Sequence, residues 1–213
     1  MDPPPLLAVG LLLAGRQVLV VGAGPVGQAK IARLLEIHAV LRVVAPIATG
    51  QVQAWAHAGQ LVWHAREFQP ADLDGCFFVV TATGPAHDPV VFAACEARQI
   101  LCNAADVPEA CSVYLLSQTQ RGPVTLATGT SGLAPGLAGR LRREAEAGLP
   151  ADVEGLVARY VSVRRWLLDS KEPDPQGKRG HALRWLAAQP WDLLRQPETE
   201  VREAVEQRIR NLP

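Results

Sequence analysis

Three groups of residues in this 213-residue chain have types and spacings that chemistry can use. The first is Gly22-Ala23-Gly24-Pro25-Val26-Gly27, a G-x-G-x-x-G spacing directly after an apolar run and directly before an amphipathic one. In that setting the first glycine permits a tight turn, the second lets backbone approach a pyrophosphate, and the third lets helix pack on strand. The pyrophosphate then rests on free N–H groups at the positive helix end. The second is Asp106, just past an apolar run at residues 100–103. Ligands of an open α/β sheet gather at such an edge. A carboxylate there either exchanges a proton with a substrate or forms an Asx turn ahead of Pro108. The third is Arg121, Arg140, Arg142 and Arg143, in a stretch free of acidic residues between Glu109 and Glu144. Guanidinium forks bind carboxylates bidentately, so this stretch suits an anionic ligand; the other reading is a solvated helix face. Thr130, Ser131 and Gly132 sit in a glycine-rich loop before a helix, where they either hold a carboxylate or cap the helix.

The elements that position these residues follow from hydrophobic period. Strands are predicted at 17–21, 41–45 (ending at Pro46), 61–63, 77–82 and 100–103, with helices at 26–38, 52–58 and 89–98. In the first helix Ile31, Leu34, Leu35 and His38 share one face. Strand and helix alternate, which predicts an α/β fold with a Rossmann-type, doubly wound parallel sheet over residues 1–113. From about residue 113 the pattern changes. Two short strands at 114–118 and 124–128, joined by residues 119–123, form a β-containing segment that runs with its loop and helix to residue 149. Too small to be stable alone, this segment is expected to pair with its counterpart in a homodimer. Residues 150–213 read as a small helical domain, with stripes Val153, Leu156, Val157, Tyr160, Val161 and Val201, Ala204, Val205, Ile209. A Pro/Gly/charge linker at 170–178 lies between them.

Composition narrows the partners. Hydrophobic residues make up 48% and charged residues 20%, an ordinary globular balance. Lys+Arg and Asp+Glu both number 21, so no whole-chain field draws the protein to nucleic acid or an anionic membrane. Residues 1–115 hold 6 basic and 9 acidic residues, and the remainder 15 and 12. Cys76, Cys95, Cys102 and Cys111 lack zinc or redox-pair spacing, and the five histidines lack ligand spacing, so no metal site is expected. The apolar start at residues 6–14 has no basic residue before it and is too short to span a bilayer, so a cytoplasmic location is expected.

One part of the dinucleotide pattern is missing. An acidic residue should close the second strand and bind a ribose hydroxyl, yet residues 37–66 contain no Asp or Glu. Backbone near Pro46 and Ile47 must then hold the ribose. Arg42 either meets a 2′-phosphate or is a solvated edge residue.

Several segments taken in order resemble the precorrin-2 dehydrogenase family, the NAD-dependent module of siroheme synthases. They are Gly15-Arg16-Gln17-Val18-Leu19-Val20-Val21-Gly22-Ala23-Gly24, Val43-Val44-Ala45-Pro46, Arg66-Glu67-Phe68, Val80-Thr81-Ala82-Thr83, Cys102-Asn103-Ala104-Ala105-Asp106, Arg121-Gly122-Pro123-Val124 and Ser131-Gly132-Leu133-Ala134-Pro135-Gly136-Leu137-Ala138. The absent ribose acid is itself similar to this family. The chain departs from the family pattern at Gly84-Pro85, where acidic residues are usual, at Gly129-Thr130-Ser131-Gly132, and at Gly139, where an Arg is common beside the present Arg140.

The resemblance implies a Rossmann domain, a central dimerisation segment and a helical domain in an interlocked homodimer. It implies NAD as cofactor, precorrin-2 as substrate and sirohydrochlorin as product, with Fe²⁺ insertion in some members. It carries cofactor contacts to Gly22, Gly24, Pro25, Val26, Gly27, Pro46, Ile47 and Thr83, and catalysis to Asp106. An eight-carboxylate substrate assigns Arg121, Thr130, Ser131, Gly132 and Arg140 to its binding. The competing class is a non-catalytic Rossmann module that senses a dinucleotide.

Overall fold

The structure, a computed structural model, describes residues 6–174 and 176–212. The first five residues and Pro175 of the 170–178 linker lie outside the described residues. The chain forms two compact units. One runs to Leu116 and includes Thr130–Ala134; the other comprises Ser117–Gly129 and the chain from Pro135 onward.

The first unit carries β1 (Gln17–Ala23), α1 (Pro25–Glu36), β2 (Val40–Ala48), α2 (Gly50–His57), β3 (Val62–His64), β4 (Phe78–Thr81), α3 (Asp88–Glu96) and β5 (Leu101–Ala104). The five strands are parallel in the order β3-β2-β1-β4-β5. Alternation along β1 divides the core. Val18 and Val20 pack with Ile31 and Leu34 of α1, Val52 of α2, and Val43, Phe78 and Val80. Leu19 and Val21 join Val44, Val79, Cys102 and the Val91 and Cys95 side of α3. Helices therefore cover both faces, which is why β1 reads as an unbroken apolar run. Each such side chain contributes about 1.5–3 kcal/mol on burial. The chain changes faces between β1 and β4, and that reversal opens a crevice at the strands' carboxyl ends.

β2 runs past the stop expected at Pro46. Val44 pairs with both Val21 and His64, the register shifts at Gly22, and Ala48 then pairs with Ala23. Pro46 thus lies beyond the last β3 pair, where its missing N–H breaks no ladder bond. After β3 the chain is held by a clamp. Arg66 Nη1 and Nη2 donate to the Asp72 carboxylate at 2.8 and 2.5 Å, and the Gln69 N–H donates to it at 2.8 Å. Arg42 Nη1 donates to the Asp72 carbonyl at 3.0 Å.

The second unit holds β6 (Ser117–Arg121), β7 (Val124–Thr128), α4 (Pro135–Ala147), α5 (Val153–Leu168), α6 (Lys178–Ala187), α7 (Trp191–Arg195) and α8 (Glu198–Arg210). The second hairpin strand lies where it is expected, at 124–128, but the first sits three residues later than its apolar pattern predicts, because Gly122, at φ +55°, closes the hairpin with a two-residue turn. α4 covers one face, through Thr128 Oγ1 donating to the Ala138 carbonyl at 2.6 Å and Thr119 Oγ1 to Glu146 at 3.0 Å. Leu156, Val163, Leu167, Leu183, Leu186, Leu194, Val201 and Val205 form the helical core. The α5 stripe continues through Val163 and Leu167 rather than Val161, which is 44% exposed, since positions 3 and 4 apart alternate along a buried seam. Among the described residues no helix is long and apolar enough to cross a membrane.

The clamp has a pH signature. The Arg66 guanidinium, aided by the Gln69 N–H and opposed by burial, holds the Asp72 carboxyl below the usual carboxylate range. A depressed folded-state pKa contributes stability that is present above the unfolded value, about 4, and is lost as pH falls through the folded value. Asp72→Asn should therefore be less stable than the parent at pH 7. It should also lose less stability between pH 5 and pH 2, as read from urea midpoints across that range.

Candidate functional site

The turn between β1 and α1 is built on two close approaches. Gly22 has φ +97°, and a Cβ there would stand 2.5 Å from the Ala82 carbonyl oxygen of the neighbouring strand's end. A Cβ on Gly27 would stand 2.1 Å from the Gly22 carbonyl oxygen, so α1 crosses β1 where only hydrogen fits. Gly24 is different. It is the N-cap of α1, with φ −73°, and a Cβ on it would meet nothing within 4 Å. No protein atom crowds it, and the space beside it belongs to the cavity in front of α1.

α1 begins with Pro25 and carries no side-chain cap and no acid in its first turn. Its first N–H groups and its dipole are thus left for an anion. The cavity in front measures ≈ 430 Å³ and is lined by Gly22, Gly24, Pro46, Ile47, Thr83, Glu67, Phe68 and His87, among others. A glycine cradle, an uncapped helix start and an apolar crevice together fit a dinucleotide. Of the eight expected cofactor contacts, the cavity wall brings together Gly22, Gly24, Pro46, Ile47 and Thr83. Gly27 acts behind it through packing, and Pro25 and Val26 are exposed at the helix start.

A residue the sequence reading passed over supports this wall. Asp88, fully buried, accepts from Thr81 Oγ1 (2.5 Å), Thr83 Oγ1 (2.6 Å), Thr83 N–H (2.9 Å) and Gly84 N–H (3.2 Å). These donors satisfy a buried carboxylate without a counter-ion. They fix the β4–α3 turn and with it Thr83. The signal for it was an acid followed by proline at a helix start, five positions after Thr83.

Asp106 stands just beyond β5 at φ +61°, with its side chain exposed. Among the described residues its carboxylate has no hydrogen-bond partner. The Asx-turn reading fails on chemistry, because residue 108 is proline and offers no N–H. The turn is instead held by Cys111, whose Sγ accepts from the Ala104 N–H at 3.2 Å. Gly132, at φ +79°, lies against the Tyr114 ring and Pro108, and Tyr114 Oη donates to the Pro108 carbonyl at 3.3 Å. This brings the Asp106 loop and the 130–134 loop into contact. Thr130 Oγ1 accepts from the Ala134 N–H at 3.0 Å, and Ser131 holds φ +52°. The second unit holds the arginines. Arg121 donates to the Ala151 carbonyl at 2.7 Å, while Arg140 pairs with Glu144 at 2.7 Å and is largely exposed. Arg42 is turned to Asp72 and is not on the cavity wall. All four cysteines are free, and a hydrogen bond with Cys95 together with burial pushes the Cys102 thiol up.

A family model described as "Putative NAD(P)-binding" matches residues 9–117, just over half of the 213-residue chain. The chain belongs to this family. This NAD(P)-binding chain is 40% identical over 148 residues to a siroheme synthase of Photorhabdus laumondii, covering 69% of itself and 32% of that protein. It is 36% identical over 172 residues to a siroheme synthase of Pseudomonas entomophila, covering 79% of itself and 36% of that protein. It therefore spans about a third of the length of these relatives. Its fold is that of a solved structure titled SirC, precorrin-2 dehydrogenase, with a TM-score of 0.70 and 24% identity, covering 97% of this chain and 100% of the other.

Two glycine variants should separate binding from packing. Gly24→Asp puts a carboxylate where the cavity is open, so dinucleotide affinity should fall by roughly a hundredfold or more with the melting midpoint kept or slightly raised, because Asp caps the start of α1. Gly27→Ala forces β1 and α1 apart and should cost about 1–3 kcal/mol or more in stability. Calorimetric titration and thermal melts read the two effects.

Proposed function

We propose that this chain is an NAD-dependent dehydrogenase that oxidises precorrin-2 to sirohydrochlorin, acting in the cytoplasm. The observation that carries the reading is the exposed, unbonded carboxylate of Asp106, held in a left-handed conformation at the carboxyl edge of the same sheet whose β1–α1 turn forms the glycine cradle. A non-glycine residue in that region costs about 1–2 kcal/mol, a cost retained where the position of the side chain matters. The names of the relatives and of the matching fold support the substrate class.

When bound, the dinucleotide supplies the hydride acceptor. The chain supplies the rest. The β1–α1 turn holds the pyrophosphate, and the Asp88-pinned Thr83 turn shapes the wall beside it. Asp106 takes the proton that leaves as the substrate gives up its hydride. Holding the reactants together supplies much of the rate. Thr130, Ser131 and Gly132 would receive substrate carboxylates beside the Asp106 loop. Arg121 and Arg140, in the second unit, would bind an anion only by giving up the Ala151 carbonyl and Glu144. The hairpin has two free edges and no fully buried residue, which supports pairing with a second copy in a homodimer.

Asp106→Ala should lower single-turnover oxidation of precorrin-2 by roughly 10²-fold, with NAD⁺ affinity unchanged and the melting midpoint kept. Equal rates for variant and parent would remove Asp106 from the chemistry. In sedimentation the chain should run near twice its 22.9 kDa mass; a monomer at micromolar concentration would remove the dimer.

A further inference from the structure

The gap in acidic residues from 37 to 66 leaves the end of β2 without a carboxylate for a ribose hydroxyl. The first acid after that gap is Glu67, and the structure places it on the same cavity wall as Pro46 and Ile47. Glu67 is the one acidic residue among the described residues lining this cavity, and no Lys or Arg is among them. The two cations nearest in sequence are committed elsewhere. Arg66 grips the Asp72 carboxylate with both terminal nitrogens, and its Nη1 also donates to the Glu67 carbonyl at 2.9 Å. Arg42 donates to the Asp72 carbonyl.

We propose that Glu67, delivered from the end of β3 rather than β2, is the residue that selects NAD over NADP. Its carboxylate accepts a hydrogen bond from the 2′-hydroxyl of the adenosine ribose. It repels the dianionic 2′-phosphate that NADP carries at the same atom. The Arg66–Asp72 clamp serves this twice, by fixing the backbone at Glu67 and by withholding the guanidinium that would otherwise welcome the phosphate. This deepens the dinucleotide reading of the cavity and rests on it.

Equilibrium titration of NAD⁺ and NADP⁺ against the parent, Glu67→Gln and Glu67→Lys tests the assignment. Glu67 is exposed, so all three should melt alike. The parent should favour NAD⁺ by about 10²-fold, the scale set by one charge-assisted contact and one repulsion. Glu67→Gln should weaken NAD⁺ by about tenfold, and Glu67→Lys should bring NADP⁺ level with NAD⁺ or ahead of it. A preference that is the same in all three proteins would overturn the role of Glu67 while leaving the cavity as the dinucleotide site. A parent that binds neither dinucleotide would overturn both.

Discussion

The site depends on a contact too tight for any side chain. Where α1 leaves β1, the Gly27 α-carbon lies so near the Gly22 carbonyl that an added Cβ would be 2.1 Å from the oxygen, and Gly22 is pressed in turn against the Ala82 carbonyl. Three backbone segments thereby meet at one point: the end of β1, the start of α1 and the end of β4. The meeting aims the helix dipole along the crevice and leaves Gly24 facing open space. The buried rows of β1, α1 and α3 supply the stability that holds this junction closed, and residues outside it can vary as long as those rows stay filled.

Polar pins complete what the apolar core cannot specify. Apolar packing is non-directional, so it fixes the sheet but not the turns at its carboxyl edge. Asp88 fixes the turn after β4, Asp72 the segment after β3, Cys111 the turn after β5, and Thr49, through a 2.7 Å bond to Gln28, the step from β2 into α2. Asp88, Asp72 and Cys111 bond to backbone or to neighbours a few positions away, whereas Thr49 reaches back 21 positions to Gln28. The crevice wall is thus assembled mostly from local capping interactions arranged around a long-range sheet.

The sheet was legible in the sequence because its central strands β1 and β4 are buried on both faces and read as apolar runs. The glycine turn was legible because its spacing sat between a strand and a helix. Other features depended on facts that no local pattern carries. β2 outruns Pro46 because β3 stops pairing at His64. The first hairpin strand begins at residue 117 because Gly122 sets the turn, and Tyr114 leaves the strand pattern to pack on Gly132. Arg42 looked available from sequence because Asp72, thirty residues later, showed no sign of being its partner. Asp88 was overlooked because a buried acid surrounded by hydroxyl and N–H donors has no signature of charge pairing.

The five residues Thr130–Ala134 belong to the sheet-bearing unit although the chain on either side of them does not. That unit is therefore discontinuous in sequence. A fragment ended near residue 117, where the family match stops, would remove Gly132 and uncover the Tyr114 ring it packs against. Domain exchange or fusion in this scaffold has no clean cut between the two units: a graft that carries the sheet intact must carry the hairpin with it, through residue 134.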